Sequence, residues 1–171
     1  MISVLVADDS ALVRRLVTGV LSEAAGIQVV GTACNGEQAL AKVDQLRPDL
    51  VTLDIEMPVM DGLTAMRELR RRHPRLPVIM FSTLTKDGAA ATLDALEAGA
   101  SDYITKPTNS LSLAESLTDV RRQLIPRVRA LTAARLPSRP AMPPAAAATT
   151  ARAAASAADP AGANPKSKRT R

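Results

Sequence analysis

Several kinds of residue are nearly absent. The 171 residues include one cysteine (Cys34), one histidine (His73), one tyrosine (Tyr103), one phenylalanine (Phe81) and no tryptophan. A lone cysteine excludes an intramolecular disulfide framework and a multi-cysteine zinc site. A lone histidine excludes a multi-histidine metal centre. Two aromatic rings do not make a stacking platform for single-stranded nucleic acid. No apolar run approaches the roughly 18–20 residues that span a bilayer. The N-terminus meets Asp8 and Asp9 after a few apolar residues and has no basic region, unlike a signal peptide. No membrane insertion is expected, and cytoplasmic placement is the default. The core has to be aliphatic, built from Val, Leu, Ile, Met and Ala.

Charge is present but unevenly spread. Residues 1–126 carry 13 basic and 16 acidic side chains, a net of −3, whereas residues 127–171 carry 9 basic and 1 acidic, a net of +8. The overall basic balance therefore belongs to the tail and does not mark the rest as a nucleic-acid binder. The tail also holds 16 Ala and 6 Pro, and Pro137, Pro140, Pro143 and Pro144 are too close together for a long helix. The expectation is one domain over residues 1–124, then an Ala/Pro/Arg-rich linker or tail over 125–171, mostly disordered.

Within the first 124 residues two hydrophobic periods alternate. Short apolar runs at Ile2–Ala7, Ile27–Ala33, Leu50–Leu53, Pro77–Phe81 and Ser101–Thr105 read as strands. Between them lie helical patterns. One is capped by Ser10 and stopped by Gly26, one is opened by Asn35-Gly36 and ended by Arg47-Pro48, and one starts at Gly62 and closes on Arg70-Arg71-Arg72. A fourth is capped by Asp87 and stopped by Gly99, and a last one runs from near Ser110 to Pro126, with Val128 and Leu131 able to extend it by a turn. Strands alternating with helices imply right-handed crossovers and a doubly wound α/β fold. Five strands in this length suit a parallel sheet in the order 2-1-3-4-5.

In such a sheet all carboxyl ends share one edge. Asp8 and Asp9 follow strand one, Asp54 ends strand three, Ser82 and Thr83 follow strand four, and Lys106 follows strand five. Singly, these have ordinary readings: helix-capping acids, a turn aspartate, loop hydroxyls, a solvated lysine. Together they converge where the strand order reverses, the place such sheets bind ligands. Clustered carboxylates repel unless they protonate, pair with a cation or bind a metal, and without His or Cys ligands the matching ion is hard and divalent, Mg²⁺ or Mn²⁺. A metal, a lysine and a hydroxyl around one carboxylate suit a transferring phosphoryl group, with the carboxylate as nucleophile.

The set Asp8-Asp9, Asp54, Ser82 and Lys106-Pro107 resembles the receiver domain of two-component response regulators, a flavodoxin-like fold, over about residues 1–124. The stretches from Asp8 to Arg14, Leu53 to Gly62, Ser82 to Thr85 and Gly99 to Pro107 are most similar to the regulatory domain of chemotaxis protein-glutamate methylesterases. The resemblance implies that Asp54 accepts phosphate from a chemotaxis sensor histidine kinase. It also implies that Asp9, Asp54 and the Glu56 backbone carbonyl hold Mg²⁺, with Asp8 assisting. Lys106 would pair with phosphoryl oxygens, Ser82 and Thr83 would turn toward them, Tyr103 would follow as a rotamer switch, and the Lys106–Pro107 bond would be cis.

That family carries a methylesterase catalytic domain after its linker. Here no Gly-x-Ser-x-Gly turn appears, and His73 is the one histidine available to a triad. Ester hydrolysis is therefore not expected of these residues; Mg²⁺-dependent self-phosphorylation and dephosphorylation are. The methylesterase output domain is expected as a regulated partner. A different reading makes the basic tail, ending Lys166-Ser167-Lys168-Arg169-Thr170-Arg171, a contact for nucleic acid or an acidic partner, although such runs usually only solvate. A nucleotide-binding enzyme is set aside, because no phosphate-cradling glycine loop follows strand one.

Overall fold

The computed structural model describes residues 1–82, 94–106 and 112–134. Five parallel strands, β1 (Ile2–Ala7), β2 (Ile27–Ala33), β3 (Leu50–Asp54), β4 (Val78–Ser82) and β5 (Asp102–Thr105), pair in the order β2-β1-β3-β4-β5. This is the expected topology. Four helices accompany them: α1 (Ala11–Ser22), α2 (Gly36–Leu46), α3 (Gly62–Arg72) and α4 (Leu113–Ala133). Residues 94–97 are also helical and end at Gly99, whose φ is +100°. The expected helix start at Asp87, together with Thr83, Ser110, Pro107 and the tail from 135 on, lies outside the described residues. Among the described residues no helix is long and apolar enough to cross a membrane.

Strand side chains alternate between two cores. Leu5, Ala7, Val51, Leu53, Val78 and Met80 pack with α2 and α3 on one face. Val4, Val6, Leu50, Ile79, Phe81 and Ile104 pack with α1 and α4 on the other. Sheets covered on both faces need continuous apolar strands, as these sequences supply. Helix starts are set by side chains that satisfy otherwise unpaired N–H groups. Ser10, Asn35, Asp61 and Ser112 accept bonds from Val13, Gln38, Thr64 and Glu115 N–H, and Glu115 returns the bond in a capping box.

Three details differ from the sequence reading. α1 ends at Ser22, and Gly26, at φ +82°, instead turns the chain into β2. Strand β2 tolerates Gly31 through a bulge, since Val4 pairs with Val29 but Leu5 with Gly31. The third is the largest: the helix read as reaching Pro126, with one more turn open through Val128 and Leu131, runs on to Ala133. Proline in a helix interior removes one hydrogen bond and costs about 3 kcal/mol. Here Pro126 is on the exposed side, while Val120, Leu124 and Val128 are fully buried and Thr132 nearly so. The continuous apolar stripe outweighs the local penalty.

Candidate functional site: an acidic crevice at the carboxyl edge of the sheet

Strand parity puts the key side chains together. Asp8 continues the alternation of Val4 and Val6, Asp54 that of Leu50 and Thr52, and Lys106 that of Ile104, so all three belong to the α1/α4 face. The register levels the strand ends, with Ala7 opposite Leu53 and Asp54 opposite Phe81, itself opposite Ile104. Carboxylate oxygens of Asp8, Asp9 and Asp54 consequently lie within 4.8 Å of one another. Lys106 Nζ is 2.7 Å from Asp54 Oδ2 and 3.3 Å from Asp8 Oδ2.

Asp8 and Asp54 are 3% and 1% exposed, whereas Asp9 is open to solvent. The Glu56 N–H donates to Asp54 Oδ1 at 3.2 Å and the Ser10 N–H to Asp8 Oδ1 at 2.8 Å. Asp54 Oδ2 has the lysine as an ion-pair partner but, among the described residues, no aligned hydrogen-bond donor.

Burial pushes the Asp54 carboxyl up to about 6; the Lys106 ammonium beside it opposes this and the Asp8 charge adds to it. Burial also raises Asp8, against the attraction of Lys106. Burial pulls the Lys106 ammonium down, yet its bonds to Asp54 and Asp8 outweigh that and the net direction is up. Three carboxylates against one ammonium leave two negative charges, the complement of one divalent cation. Opposite ligands of an octahedral ion at about 2.1 Å stand about 4.2 Å apart, so the observed spread closes with small side-chain turns or a water. The donor set, all oxygen, suits Mg²⁺ or Mn²⁺.

The other expected positions fall nearby or outside. Ser82 ends β4, opposite Thr105. Tyr103 is on β5 and 43% exposed. Thr83 and the bond to Pro107 are outside the described residues. Cys34 and His73 take no part: the Cys34 thiol is 3.3 Å from Gln38 Oε1, and His73 pairs with Asp44.

Three supporting residues lie within the stretches that carry the resemblance, but their structural roles were not assigned from the sequence. Arg14 donates to the carbonyls of Asp8 and Asp9 at 2.7 and 2.9 Å and so pins the acidic loop. Gly62 lets the first turn of α3 approach the end of β3, where an added Cβ would lie 1.9 Å from the Asp54 carbonyl oxygen. Val59, at φ +68°, is the centre of a tight turn in which Met60 N–H bonds the Pro58 carbonyl, an uncommon conformation for a β-branched residue. The Arg14 role shows in its side-chain contacts, and those of Gly62 and Val59 in the backbone.

Comparison with known proteins agrees with this geometry. The response regulator receiver domain family matches residues 4–118. A protein-glutamate methylesterase/protein-glutamine glutaminase from Nocardioides sp. is 58% identical over 134 residues, covering 78% of this chain and 37% of that protein. The Bacillus subtilis protein of the same description is 46% identical over 140 residues, covering 82% and 38%. The chain thus spans little more than a third of the curated relatives it matches. The response regulator domain of Thermotoga maritima CheB superposes with a TM-score of 0.70 at 40% identity, over 78% of this chain and 97% of that one. A chain of the CheX–CheY–BeF3–Mg²⁺ complex from Borrelia burgdorferi gives 0.59 at 34% identity, over 71% and 87%. Sheet order, the acidic edge and the match across most of the sequence all lead to one assignment: the chain belongs to the response regulator receiver domains.

Proposed function

We propose that this receiver is the phosphoryl-accepting regulatory domain of a chemotaxis protein-glutamate methylesterase, and that Asp54 is the acceptor. The carrying observation is the buried Asp54 carboxylate held between Lys106 and two further aspartates. The donor is the phosphohistidine of a sensor histidine kinase. A deprotonated Asp54 oxygen attacks phosphorus and the P–N bond breaks. The electron pair stays on the imidazole nitrogen, which takes a proton from solvent.

Asp9, Asp54 and the Glu56 carbonyl would hold Mg²⁺ (or Mn²⁺), with Asp8 bound directly or through water. The ion, when bound, offsets the charge that gathers on the transferring oxygens. Lys106 gives up part of its bond to Asp54 and holds a phosphoryl oxygen. Ser82 and Thr83 supply hydroxyl donors, and Tyr103 responds by changing its exposure. Adding about −1.5 to −2 charge at Asp54 biases the receiver toward a second arrangement. A methylesterase output domain reads that state, in the cytoplasm.

Support comes from the charge balance of the crevice and from relatives of that description. Intact-mass measurement after treatment with acetyl phosphate, with and without Mg²⁺, tests the reading. Wild type gains one phosphoryl group only with the metal, and Asp54→Ala gains none; equal labelling of the two proteins removes Asp54 as acceptor.

A further inference from the structure

At the opposite edge of the sheet, remote in topology from the acidic crevice, the carboxyl ends of α2 and α3 enclose a cavity of about 250 Å³. Val43, Pro48, Pro74 and Leu76 form apolar walls, and Arg47, Arg72 and Arg75 line it with His73. No acid lines it. Asp44, beside it, is already engaged by His73 at 2.7 Å and Arg72 at 3.3 Å, and Glu68 holds Arg72 as well at 3.4 Å. Arg47 makes a single bond, from Nε to the Asp44 carbonyl, which leaves its terminal nitrogens uncommitted. Among the described residues the Arg75 side chain makes no hydrogen bond or ion pair, and both arginines are exposed.

Arginines at helix carboxyl ends usually offset the dipole, and that role must be subtracted. Two helix ends contribute about −0.5 each and Asp44 and Glu68 −1 each against the guanidiniums of Arg47, Arg71, Arg72 and Arg75, so roughly one positive charge is left over. The cavity is also held in shape. Arg70 donates to the carbonyls of Pro74 at 2.7 Å and Leu76 at 3.1 Å, which braces the loop that carries Arg75. Its volume is below the ~300–1,000 Å³ of pockets for drug-sized ligands, enough for one or two side chains but not for a nucleotide.

We propose that this pocket docks a partner protein through a single Glu or Asp beside an aliphatic residue: the carboxylate meets Arg47 and Arg75, and the aliphatic group lies against the exposed Pro74. Charge complementarity picks that occupant. The basic tail of this chain has the wrong sign for it. A nucleic-acid backbone would want a basic stripe, not a closed notch with Asp44 beside it.

The test is an amide-shift titration of the isotope-labelled full chain with the blocked peptide Gly-Ser-Glu-Leu-Gly-Ser. A one-carboxylate contact predicts about millimolar affinity, weakened by salt. Shifts are expected in residues 43–50 and 72–76, with residues 8, 54 and 106 unmoved. Arg47→Gln and Arg75→Gln should each weaken binding about three- to tenfold, and their unchanged spectra elsewhere show that they fold. The proposal is overturned if the matching Gln-Leu peptide binds as well, or if no shift appears at about 10 mM. It is equally overturned if inorganic phosphate or a short DNA duplex displaces the peptide at lower concentration.

Discussion

Asp54 is where stability and function pull in opposite directions. Its folded carboxyl titrates near 6 against 3.8 for the unreacted reference, so between those values the folded chain holds a proton the unfolded chain has lost. Stability therefore falls as pH rises through about 4 to 6, by up to about 3 kcal/mol for a shift of about two units. Urea unfolding in chelator should show that decline in wild type, and Asp54→Asn should flatten it and be the more stable protein at pH 7. A wild-type curve that rises across the same interval would contradict the burial argument. Val59 is a second residue with a cost of its own. A β-branched side chain at positive φ is strained by roughly 1–3 kcal/mol, so Val59→Gly should stabilise the chain by about 1 kcal/mol after glycine's entropy loss. Thermal unfolding checks it.

Among the elements, the last helix is the instructive case. Pro126 reads locally as a stop, with Val128 and Leu131 offering one turn beyond it. The structure continues because Val120, Leu124 and Val128 form one buried stripe across the proline, and because Arg127 pairs with Asp102 at the start of β5 at 2.9 Å. Pro126→Ala should then stabilise the domain by about 1–3 kcal/mol, whereas a proline that truly ended the helix would give almost no change. Val128→Ala should destabilise by about 1–3 kcal/mol, as a core truncation does; urea midpoints separate the two. Elements with a strong period and a capping residue, such as α2 behind Asn35, were legible because local and tertiary preferences agree there. Asp61, the cap of α3, is masked in the sequence by the adjoining Gly62, which itself reads as a helix start. The convergence of Asp8, Asp54 and Lys106 was legible for another reason: strand order and side-chain parity fix the direction of each residue once the sheet is known. Arg14 was not, since nothing in its spacing says that its guanidinium turns back onto two carbonyls.

For the molecule as a whole, the crevice carries a surplus of two negative charges, which a divalent cation relieves. Binding to the folded chain alone stabilises by RT ln(1 + [L]/Kd), about 2.7 kcal/mol at a hundredfold excess over Kd. Mg²⁺ should accordingly raise the unfolding temperature of wild type and do so much less for Asp9→Asn, whose side chain is exposed and has little other structural work. The most direct measurement is the position of the phosphoryl group itself. The chain is phosphorylated with acetyl phosphate in Mg²⁺, the acyl phosphate is trapped by borohydride reduction, and the modified residue is located by peptide sequencing in the mass spectrometer. The expected result is modification at residue 54 and nowhere else; modification at Asp8, Asp9 or a remote carboxylate, with residue 54 intact, would contradict the account.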